Sequence, residues 1–530
     1  MKTITPQDLR AWLTDGGELA LFDLREQGVY CRSHLLFAIC LPLSHLEARV
    51  GRLAPRRSVR TVLCDDGEGL VERGHAALEA MGYSDISVLE GGITAWERAG
   101  FELFSGVNVP SKAFGEFIEH EDDTPRIEAT DLQAMIDAGE DLVILDSRPW
   151  GEYHRMNIPG GIDAPGAELV HRVHDLAPDP SRTVVVNCAG RTRSIIGAQS
   201  LINAGIPNRV VALKDGTMGW ELAGFKVEQG ATRRAPDPSP EAAKIAQDRT
   251  AAVAKRFGIP RIDEAALVRW QAETNERSLF ILDVRSPEEF AAGHRPDSRH
   301  APGGQLVQGT DEYVGVRNAR LVLVDDTGVR ATMTASWLVQ MGWPEVAVLE
   351  NGLKGELVQK TKSALAEAPA AIDPIDAQTL KQALDAGTCA VVDFATSLQY
   401  RAGHIPGASF AVRARLPEDA PKLPPAERYV ATSPHSIHAR YAAADLAAAT
   451  GKPVQVLDGG TKAWRDAGYP IAEGFEHLAS TNDDVWYKPY DHDDDDPEKH
   501  MRAYLEWEVD LVRQIERDGT TNFRRFPAAT

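Results

Sequence analysis

Short apolar runs alternate with amphipathic stretches along most of the chain. Four of these runs share one form, in which two apolar residues precede an aspartate: LFDLR at 21–25, ILDSR at 144–148, ILDVR at 281–285 and VVDFA at 391–395. Buried runs that alternate with helical stretches are typical of a parallel sheet covered on both of its faces. The pattern therefore predicts an α/β fold, in which a mainly parallel sheet carries helices on both faces.

The four runs belong to four copies of one unit. A later strand ends 42 residues after the aspartate in three copies and 40 after it in the fourth: Asp23 to Asp65, Asp146 to Cys188, Asp283 to Asp325 and Asp393 to Ser433. Self-similarity at a fixed spacing is the mark of a repeat architecture. We predict domains at 1–105, 122–230, 259–360 and 371–475, each large enough for a core of its own.

Two further patterns recur in every copy. An isoleucine and a leucine five positions later open an amphipathic segment, in which we expect the first helix: Ile4/Leu9, Ile127/Leu132, Ile262/Leu267 and Ile375/Leu380. Further on, a leucine precedes a Gly-rich turn, and we expect a helix after that turn. The residue seven positions after this leucine is Trp96, Trp220, Glu356 and Trp464 in the four copies.

Three segments fall outside the repeats. Residues 230–258 and 367–374 have the composition of connectors. The tail, 476–530, holds an acidic run at 491–496 and a predicted helix from Pro497 to about Asp518. Five residues form one apolar stripe on that helix: Met501, Tyr504, Leu505, Val512 and Ile515. The stripe suits docking, either on this chain or, in a homodimer, on a second copy.

Charge and cysteine usage exclude several classes of function. Lys plus Arg number 57 against 78 Asp plus Glu, a formal net charge of −21, which disfavours binding to nucleic acid or an anionic membrane. The five cysteines form no CxxC pair, so neither a disulfide framework nor a zinc site is indicated. The N-terminal segment lacks a secretory pattern, and no apolar run is long enough to cross a membrane. We expect a cytoplasmic protein without a metal or organic cofactor.

One turn combines a cysteine with local positive charge. In CAGRTRS, residues 188–194, the cysteine follows a strand, and the turn leads into a predicted helix. Consecutive amides of such a turn, the helix dipole, Arg191 and Arg193 all favour an anion there. They lower the pKa of the Cys188 thiol, which makes a nucleophilic thiolate available near neutral pH. The alternative is that Cys188 is an inert buried residue and that the arginines lie in solvent.

The four copies resemble the rhodanese, or sulfurtransferase, family over most of the chain. The resemblance rests on the strand with its aspartate, on GHIPGA at 403–408 with its counterparts MNIPGG at 156–161 and GHRPDS at 293–298, on the cysteine turn, and on the final DGG…W. It implies four tandem rhodanese-like domains. It also implies a cysteine that takes a sulfane sulfur from a donor, becomes a persulfide, and passes the sulfur to a thiophilic acceptor.

Carried over to this chain, the resemblance makes Cys188 the nucleophile and Arg193 the residue that closes a C-x4-R turn. Arg191 becomes a candidate for binding an anionic donor such as thiosulfate, and Arg148 for reaching the substrate mouth. The implied substrate-binding residues are Ala189, Gly190, Arg191, Thr192, Ser194 and Arg148. The implied partners are a small anionic sulfur donor and a cyanide or thiol acceptor.

The other three copies lack the cysteine. Asp65, Asp325 and Ser433 stand in its place. A carboxylate forms no persulfide, and a hydroxyl accepts sulfur far less readily than a thiolate, so we predict that the first, third and fourth domains are inactive. Cys64 lies next to Asp65, but the repeat register puts Asp65 opposite Cys188, and its acidic neighbours raise the thiol pKa of Cys64.

These observations predict a ping-pong thiosulfate sulfurtransferase-like enzyme. One alternative is a Cys-dependent phosphatase, whose turn has five residues between Cys and Arg where this chain has four. Another is a largely non-catalytic scaffold or binding protein, since three turns lack the nucleophile. Two weaker alternatives are a hydrolase at Ser433 with His435 and His438, and a cation site formed by His477, His492 and His500.

Overall fold

Four five-stranded sheets form the framework of the protein. The computed structural model describes residues 1–360, 373–492 and 496–527. Within each sheet the strands lie in the order first, fifth, fourth, second, third along the chain, and every strand pairs with its neighbours in parallel. The predicted fold class, four tandem α/β domains with parallel sheets, is confirmed.

The first two domains have the same sequence of elements. The first contains β1 (Lys2–Ile4), α1 (Pro6–Thr14), β2 (Ala20–Asp23), α2 (Gln27–Tyr30), β3 (Ile39–Cys40), α3 (Leu46–Leu53), β4 (Thr61–Cys64), α4 (Leu70–Ala80), β5 (Ile86–Leu89) and α5 (Gly92–Arg98), and α6 (Val109–Asp122) follows it. The second contains β6 (Arg126–Ile127), α7 (Ala129–Asp137), β7 (Leu142–Asp146), α8 (Trp150–Arg155), β8 (Ile162–Asp163), α9 (Leu169–Leu176), β9 (Thr183–Asn187), α10 (Thr192–Asn203), β10 (Val210–Leu213) and α11 (Gly216–Leu222).

A helix, α12 (Pro240–Phe257), fills most of the predicted connector before the third domain. The third domain contains β11 (Arg261–Ile262), α13 (Glu264–Ala272), β12 (Leu279–Asp283), α14 (Pro287–Ala292), β13 (Arg299–His300), α15 (Gly303–Gln308), α16 (Thr310–Tyr313), β14 (Arg320–Val324), α17 (Val329–Gln340) and β15 (Glu345–Leu349). Most of the second predicted connector, 367–374, lies outside the described residues.

The fourth domain and the tail complete the chain. The fourth domain contains β16 (Asp373–Ile375), α18 (Ala377–Asp385), β17 (Ala390–Asp393), α19 (Ser397–Ala402), β18 (Ser409–Phe410), α20 (Leu416–Asp419), β19 (Tyr429–Thr432), α21 (Ile437–Thr450), β20 (Val454–Leu457) and α22 (Gly460–Asp466). The tail helix is α23 (Pro497–Asp518), close to its predicted bounds. Part of the acidic run before it, 493–495, lies outside the described residues.

Two expectations about elements are wrong. The isoleucine of each Ile/Leu pair ends a first strand of two or three residues, and only the leucine lies in the helix that follows. A strand this short has no periodicity that a sequence pattern can reveal. In the third domain, the described residues after β15 form turns rather than a final helix.

The missing helix coincides with a missing tryptophan. In the other three domains, Trp96, Trp220 and Trp464 are at most 2% exposed, and each indole N–H donates to a carbonyl six residues later, at 2.8–3.0 Å. The ring therefore fixes the helix and the chain that leaves it. Glu356, at the same position in the third domain, cannot provide this anchor.

The domains group into two compact units. One holds the first and fourth domains, that is Met1–Ala11, Ala20–Val107 and the described part of Ser363–Tyr487. The other holds Trp12–Leu19, the second and third domains with α6 and α12, and the tail from Lys488. The turn that begins at Cys188 and its neighbours belong to the second unit. No helix among the described residues combines the length and the apolar character that a bilayer span requires.

Candidate active site

Cys188 stands at the carboxyl end of β9, the central strand of the second sheet. All five residues of β9 are buried, and Cys188 itself is 2% exposed. Its carbonyl accepts hydrogen bonds from the backbone N–H of Thr217 at 2.8 Å and from its hydroxyl at 3.0 Å. Its sulfur lies 3.5 Å from Ser194 Oγ, whose hydroxyl donates to the Arg191 carbonyl at 2.8 Å. Strand, turn and helix thus hold the cysteine from three sides.

Gly216 shows how closely α11 approaches this turn. A Cβ at this residue would lie 2.4 Å from the Cys188 carbonyl oxygen and 2.7 Å from that of Gly190. Its φ of +56° also belongs to the left-handed region that favours glycine. The Gly-rich turn found in the sequence is therefore required at this place to let the helix close over the cysteine turn.

The equivalent turns of the first and third domains contain a built-in anion. The carboxylate of Asp65 accepts hydrogen bonds from the amides of the residues five and six positions on, Leu70 at 2.8 Å and Val71 at 3.3 Å. The carboxylate of Asp325 does the same with Arg330 at 2.9 Å and Ala331 at 3.2 Å. A third amide, two or three positions on, completes each cradle.

The equivalent amides in the second domain belong to a turn that begins with a thiol instead. They are those of Arg193 and Ser194, five and six positions after Cys188. Among the described residues, no carboxylate accepts a hydrogen bond from the amides of 190–194. In the fourth domain the position is taken by Ser433, whose Oγ accepts from the amide of Ala439 at 3.3 Å. The fold thus builds an anion-binding cradle at this turn, and the second domain leaves it without an internal carboxylate.

Arg191 points away from the cysteine into a set of carboxylates. It is 6% exposed and donates to both oxygens of Glu116 on α6 at 2.7 Å, to Glu119, and to Asp215 at 3.1 Å. Burial alone would lower the pKa of Arg191, but Glu116 and the other carboxylates raise it above its ordinary value. The side chain ties the turn to α6, and it is not a solvated arginine.

Arg193 is similarly engaged. Its guanidinium donates to the two oxygens of Glu152 on α8 at 2.9 and 2.8 Å and to the side-chain oxygen of Gln305 in the third domain at 3.4 Å. Burial opposes its charge, but Glu152 raises its pKa above the ordinary value, with a smaller contribution from Cys188. Arg193 therefore remains a cation at the turn, held in place by a carboxylate.

Arg148 is part of the frame of the domain. It donates to Asp146 at 2.9 and 2.7 Å and to the carbonyl of Met156 at 2.6 Å. The pairs Arg25–Asp23 and Arg285–Asp283 have the same geometry in domains that lack the cysteine. Because the pair also occurs where no cysteine is present, its geometry indicates a structural role, and contact with substrate stays a prediction.

The predicted stripe of the tail helix lies against the second domain of its own chain. Met501 and Leu505 pack with Met218, and Tyr504 and Tyr490 border the same cluster beside Ala189 of the turn. A Cβ at Gly190 would lie 3.2 Å from atoms of both Tyr504 and Glu508. The helix thus covers the cysteine turn, and a homodimer formed through the tail would have to use another of its faces.

Three glutamates that pair with the arginines of this site could not be recognised from the turn sequence alone. Glu116 and Glu119 lie on a helix outside the repeats, so the motif that contains Cys188 does not reveal them. Glu152 has a counterpart in Glu289, which pairs with Arg330 in the third domain at 2.7 Å. Both glutamates follow the strand aspartate by six positions, and this shared spacing could have identified them.

The remaining candidates do not assemble into sites. Burial, then Asp23, raises the pKa of Cys64 well above its ordinary value, as its surroundings predicted. His438 lies with its Nδ1 3.0 Å from that of His45, whereas Ser433 contacts a backbone amide. Within the described ranges, no group of three or more His, Cys, Asp or Glu residues is arranged to hold a metal ion.

Comparisons with known proteins agree with this geometry. The rhodanese-like domain matches the chain four times, at residues 5–99, 128–223, 265–355 and 376–467. A thiosulfate sulfurtransferase from Pseudomonas aeruginosa, known from its crystal structure, is 50% identical over 99% of this chain and 100% of that one, with a TM-score of 0.95.

Two curated relatives from Mycobacterium tuberculosis match over single stretches. The probable adenylyltransferase/sulfurtransferase MoeZ is 35% identical over 97 residues, 18% of this chain and 24% of its own length. The HTH-type transcriptional regulator Rv0324 is 35% identical over 105 residues, 20% of this chain and 45% of its own length. The chain thus spans less than half the length of these two relatives. With four domain matches, each centred on a five-stranded parallel sheet, the chain belongs to the rhodanese family.

Proposed function

We propose that the protein is a sulfurtransferase that moves a sulfane sulfur from thiosulfate or a related donor to a thiophilic acceptor through a persulfide on Cys188. The observation that carries the proposal is the amide cradle at the turn. Two domains fill it with an aspartate, whereas the second domain presents a thiol there. The likeness to the Pseudomonas aeruginosa thiosulfate sulfurtransferase over nearly the whole chain supports the same activity.

The reaction proceeds in two displacement steps. The Cys188 thiolate attacks the outer sulfur of thiosulfate, the S–S bond of the donor breaks, and sulfite leaves with the electron pair. The persulfide anion on Cys188 then lies where the aspartates of the other domains place their carboxylates, and the amides of 189–194 stabilise it. An acceptor attacks the outer sulfur, and the electron pair returns to Sγ. Neither step requires a metal or an organic cofactor.

Three residues of the turn have defined parts in this proposal. Cys188 is the nucleophile. Arg193 is the fixed cation beside it, and its positive charge attracts an anionic donor toward the turn. Arg191 anchors the turn to α6, so that the amides keep their orientation. Because every arginine near the turn is already paired with a carboxylate, the backbone amides provide most of the attraction for the anion.

The other three domains are proposed to be inactive. Asp65 and Asp325 occupy the cradle with their own carboxylates, and Ser433 has no thiol. Their contribution is structural: the third domain supplies Gln305 to Arg193.

Substitution of the nucleophile tests the proposal directly. Cys188→Ser is expected to lose thiosulfate-to-cyanide transfer by about three orders of magnitude or more. Intact mass spectrometry after incubation with thiosulfate should show a gain of one sulfur on the wild type and none on the variant. Cys64→Ser is the matched control, and it should keep both the transfer and the sulfur gain. Full transfer by Cys188→Ser would refute the assignment.

The same variants separate sulfur transfer from phosphate hydrolysis. The turn encloses four residues between Cys188 and Arg193, which makes a narrower cradle than the five-residue turn of related phosphatases. We therefore expect no hydrolysis of an aryl phosphate that depends on Cys188. Hydrolysis lost in Cys188→Ser would reverse this conclusion.

We also propose a reducing, cytoplasmic location. All five cysteines are free thiols, which is typical of such a compartment. Activity of the protein in a cytosolic fraction, and its absence from a membrane fraction, would support this location.

A further inference from the structure

A cluster of side chains beside the Cys188 turn has no part in the steps above. It consists of Lys112 on α6 and Tyr504, Trp507 and Glu508 on α23. Glu508 is 1% exposed and Lys112 is 2% exposed. A Cβ at Gly190 would lie 3.2 Å from Glu508 Oε2 and 3.2 Å from Tyr504 Cε1. The cluster therefore lies directly against the cysteine turn.

The two carboxylate oxygens of Glu508 have different surroundings. Oε1 accepts hydrogen bonds from Lys112 Nζ at 2.9 Å and from the Tyr504 hydroxyl at 2.7 Å. Oε2 is buried and accepts none from the described residues. An unsatisfied buried carboxylate oxygen is costly. At this place, the missing donor is one that a bound ligand can supply.

Lys112 and Tyr504 fix the orientation of this carboxylate. The ammonium of Lys112 also contacts the Tyr504 hydroxyl and lies 4.4 and 5.0 Å from the ring centres of Tyr504 and Trp507. Burial, followed by Glu508, raises the pKa of Tyr504 well above its ordinary value, so that the hydroxyl remains a donor. Both donors hold Oε1, which leaves Oε2 on the side of the turn.

We propose that Glu508 is the base that takes the proton of a thiol acceptor, with Lys112 and Tyr504 as positioning residues. This inference rests on the proposed function, because it requires the Cys188 persulfide. The acceptor R–SH gives its proton to Glu508 Oε2, and its sulfur attacks the outer sulfur of the persulfide anion. The bond from that sulfur to Sγ breaks, and its electron pair stays on Sγ. The product R–S–S⁻ takes the proton from Glu508 and leaves as R–S–SH, so no external oxidant or reductant is needed.

The surroundings of the cluster indicate the class of thiol. The apolar side chains packed beside it are Met218, Leu222, Met501 and Leu505, and Lys112, Arg191 and Arg193 are each paired with a carboxylate. A highly charged acceptor would have to compete with those carboxylates for a cation. The site therefore favours a small thiol with a neutral or apolar body.

The pH dependence of this step depends on all the charged groups that face Glu508. Lys112 and Glu116 face it from α6, since Glu508 contributes to the raised pKa of Glu116 after burial. Tyr504 faces Glu508 from the same helix, α23. Arg193, which belongs to the cysteine turn, lies near Tyr504. Lys112 and Arg193 offset the negative charges of Glu116 and Glu508 at this place.

Glu508→Gln tests the base, because the amide keeps the size and the acceptor oxygen but takes no proton. The measurement is the ratio of kcat/KM for 2-mercaptoethanol at pH 7 to kcat/KM for cyanide at alkaline pH, where cyanide is an anion without a proton to lose. We expect this ratio to fall by about tenfold to a hundredfold. The deficit should shrink as the pH approaches the pKa of the thiol. Glu506→Gln, an exposed change on the same helix, is the matched control and should leave the ratio unchanged.

Tyr504→Phe gives a second, independent measurement. It keeps the ring over the turn and removes one donor to Oε1, so it should lower the ratio by a smaller factor and shift the pH profile of thiol transfer. A profile identical to that of the wild type would overturn the positioning role, and it would decide the matter if Glu508→Gln did not fold. If a folded Glu508→Gln protein still formed the persulfide and its ratio were unchanged, the proposed role of Glu508 as the base would be refuted. A wild type that forms no persulfide would instead refute the sulfurtransferase proposal.

Discussion

The Cys188 turn and the Asp325 turn are two versions of one structure within the same unit. Each begins after a buried central strand and ends in an arginine that pairs with a glutamate. Arg193 pairs with Glu152 at 2.8 Å, and Arg330 pairs with Glu289 at 2.7 Å. The decisive difference is at the first position, where one turn has a thiol and the other a carboxylate.

That difference determines where the negative charge at each turn comes from. The carboxylate of Asp325 accepts hydrogen bonds from three amides, with Gly328 the closest at 2.6 Å. The amides of the third domain's turn thus find their acceptor within the same turn, in the carboxylate of Asp325. The turn of the second domain obtains its anion from the thiolate and, in our proposal, from the sulfur that it receives. In our proposal, the same cradle stabilises the fold in the third domain and binds a reaction intermediate in the second.

In both turns, the arginine also contacts a residue of the neighbouring domain. Arg193 reaches Gln305 of the third domain, and Arg330 reaches Glu168 of the second at 2.9 Å. Glu168 and Gln305 hold equivalent positions in the repeat. The third domain therefore completes the surroundings of the Cys188 turn.

The largest expected effect comes from replacing Cys188 with aspartate, the residue that begins the equivalent turn of the third domain. Cys188→Asp should abolish transfer, by about three orders of magnitude or more, because no thiolate remains. It should nevertheless be more stable than Cys188→Ala by about 1–2 kcal/mol, since the amides that hold Asp325 have counterparts here. Thermal unfolding of both variants checks this. A Cys188→Asp protein less stable than Cys188→Ala would contradict the shared cradle.

Removal of Arg191 separates anchoring from donor binding. Arg191→Met leaves the buried Glu116 without its cation, while Glu119 keeps Arg126 at 3.2 Å, and we expect a loss of about 3–5 kcal/mol in the free energy of unfolding. The double variant Arg191→Met/Glu116→Gln should regain part of this loss. Denaturant unfolding measures both. Unchanged stability with a raised KM for thiosulfate would instead support donor binding by Arg191.

In the third domain, the corresponding change should affect stability only. Asp325→Ala removes the acceptor of three amides, and we expect a loss of about 1–3 kcal/mol. Thiosulfate-to-cyanide transfer, measured at a temperature where the variant is folded, should match that of the wild type. A tenfold fall in transfer would show that the third domain takes part in catalysis.

The smallest effect concerns acid stability, and it should be alike in the two domains. Burial opposes ionisation of Glu152 and Glu289, but Arg193 and Arg330 lower the pKa of each to about 2. Because these values lie below that of an unfolded glutamate, about 4.3, both pairs stabilise the fold above that pH. The stabilisation is lost as the pH falls toward 2. Glu152→Gln and Glu289→Gln should each flatten the acid limb of the stability curve, and a steeper limb would contradict the pairing.

Much of the fold followed from patterns in the sequence. The constant spacing from Asp146 to Cys188 and its three counterparts predicted four domains, and the apolar runs predicted parallel sheets. The short first strands were missed because two or three residues show no period. The absence of a helix after β15 was not predicted, because it coincides with a single change, Glu356 in place of tryptophan, in an otherwise preserved pattern.

The site was predictable only in part. The position of Cys188 at a strand end before a helix could be read from the turn. Arg191 was a candidate for binding an anionic donor and Arg193 for closing the turn, and both roles stay predictions. The structure adds their pairing with Glu116, Glu119 and Glu152. Glu116 and Glu119 lie outside the domain repeats, so no spacing within the motif points to them.

By itself, the sequence determined the four repeated domains and the one turn with a cysteine, because strand and helix periods and repeat spacing are local properties of the chain. Only the tertiary structure decided how the charges pair and where the tail helix docks. A long arginine side chain or an amphipathic helix has many partners that satisfy it equally well. The choice among them depends on residues far apart in the chain, such as Lys112 and Glu508, that packing brings together.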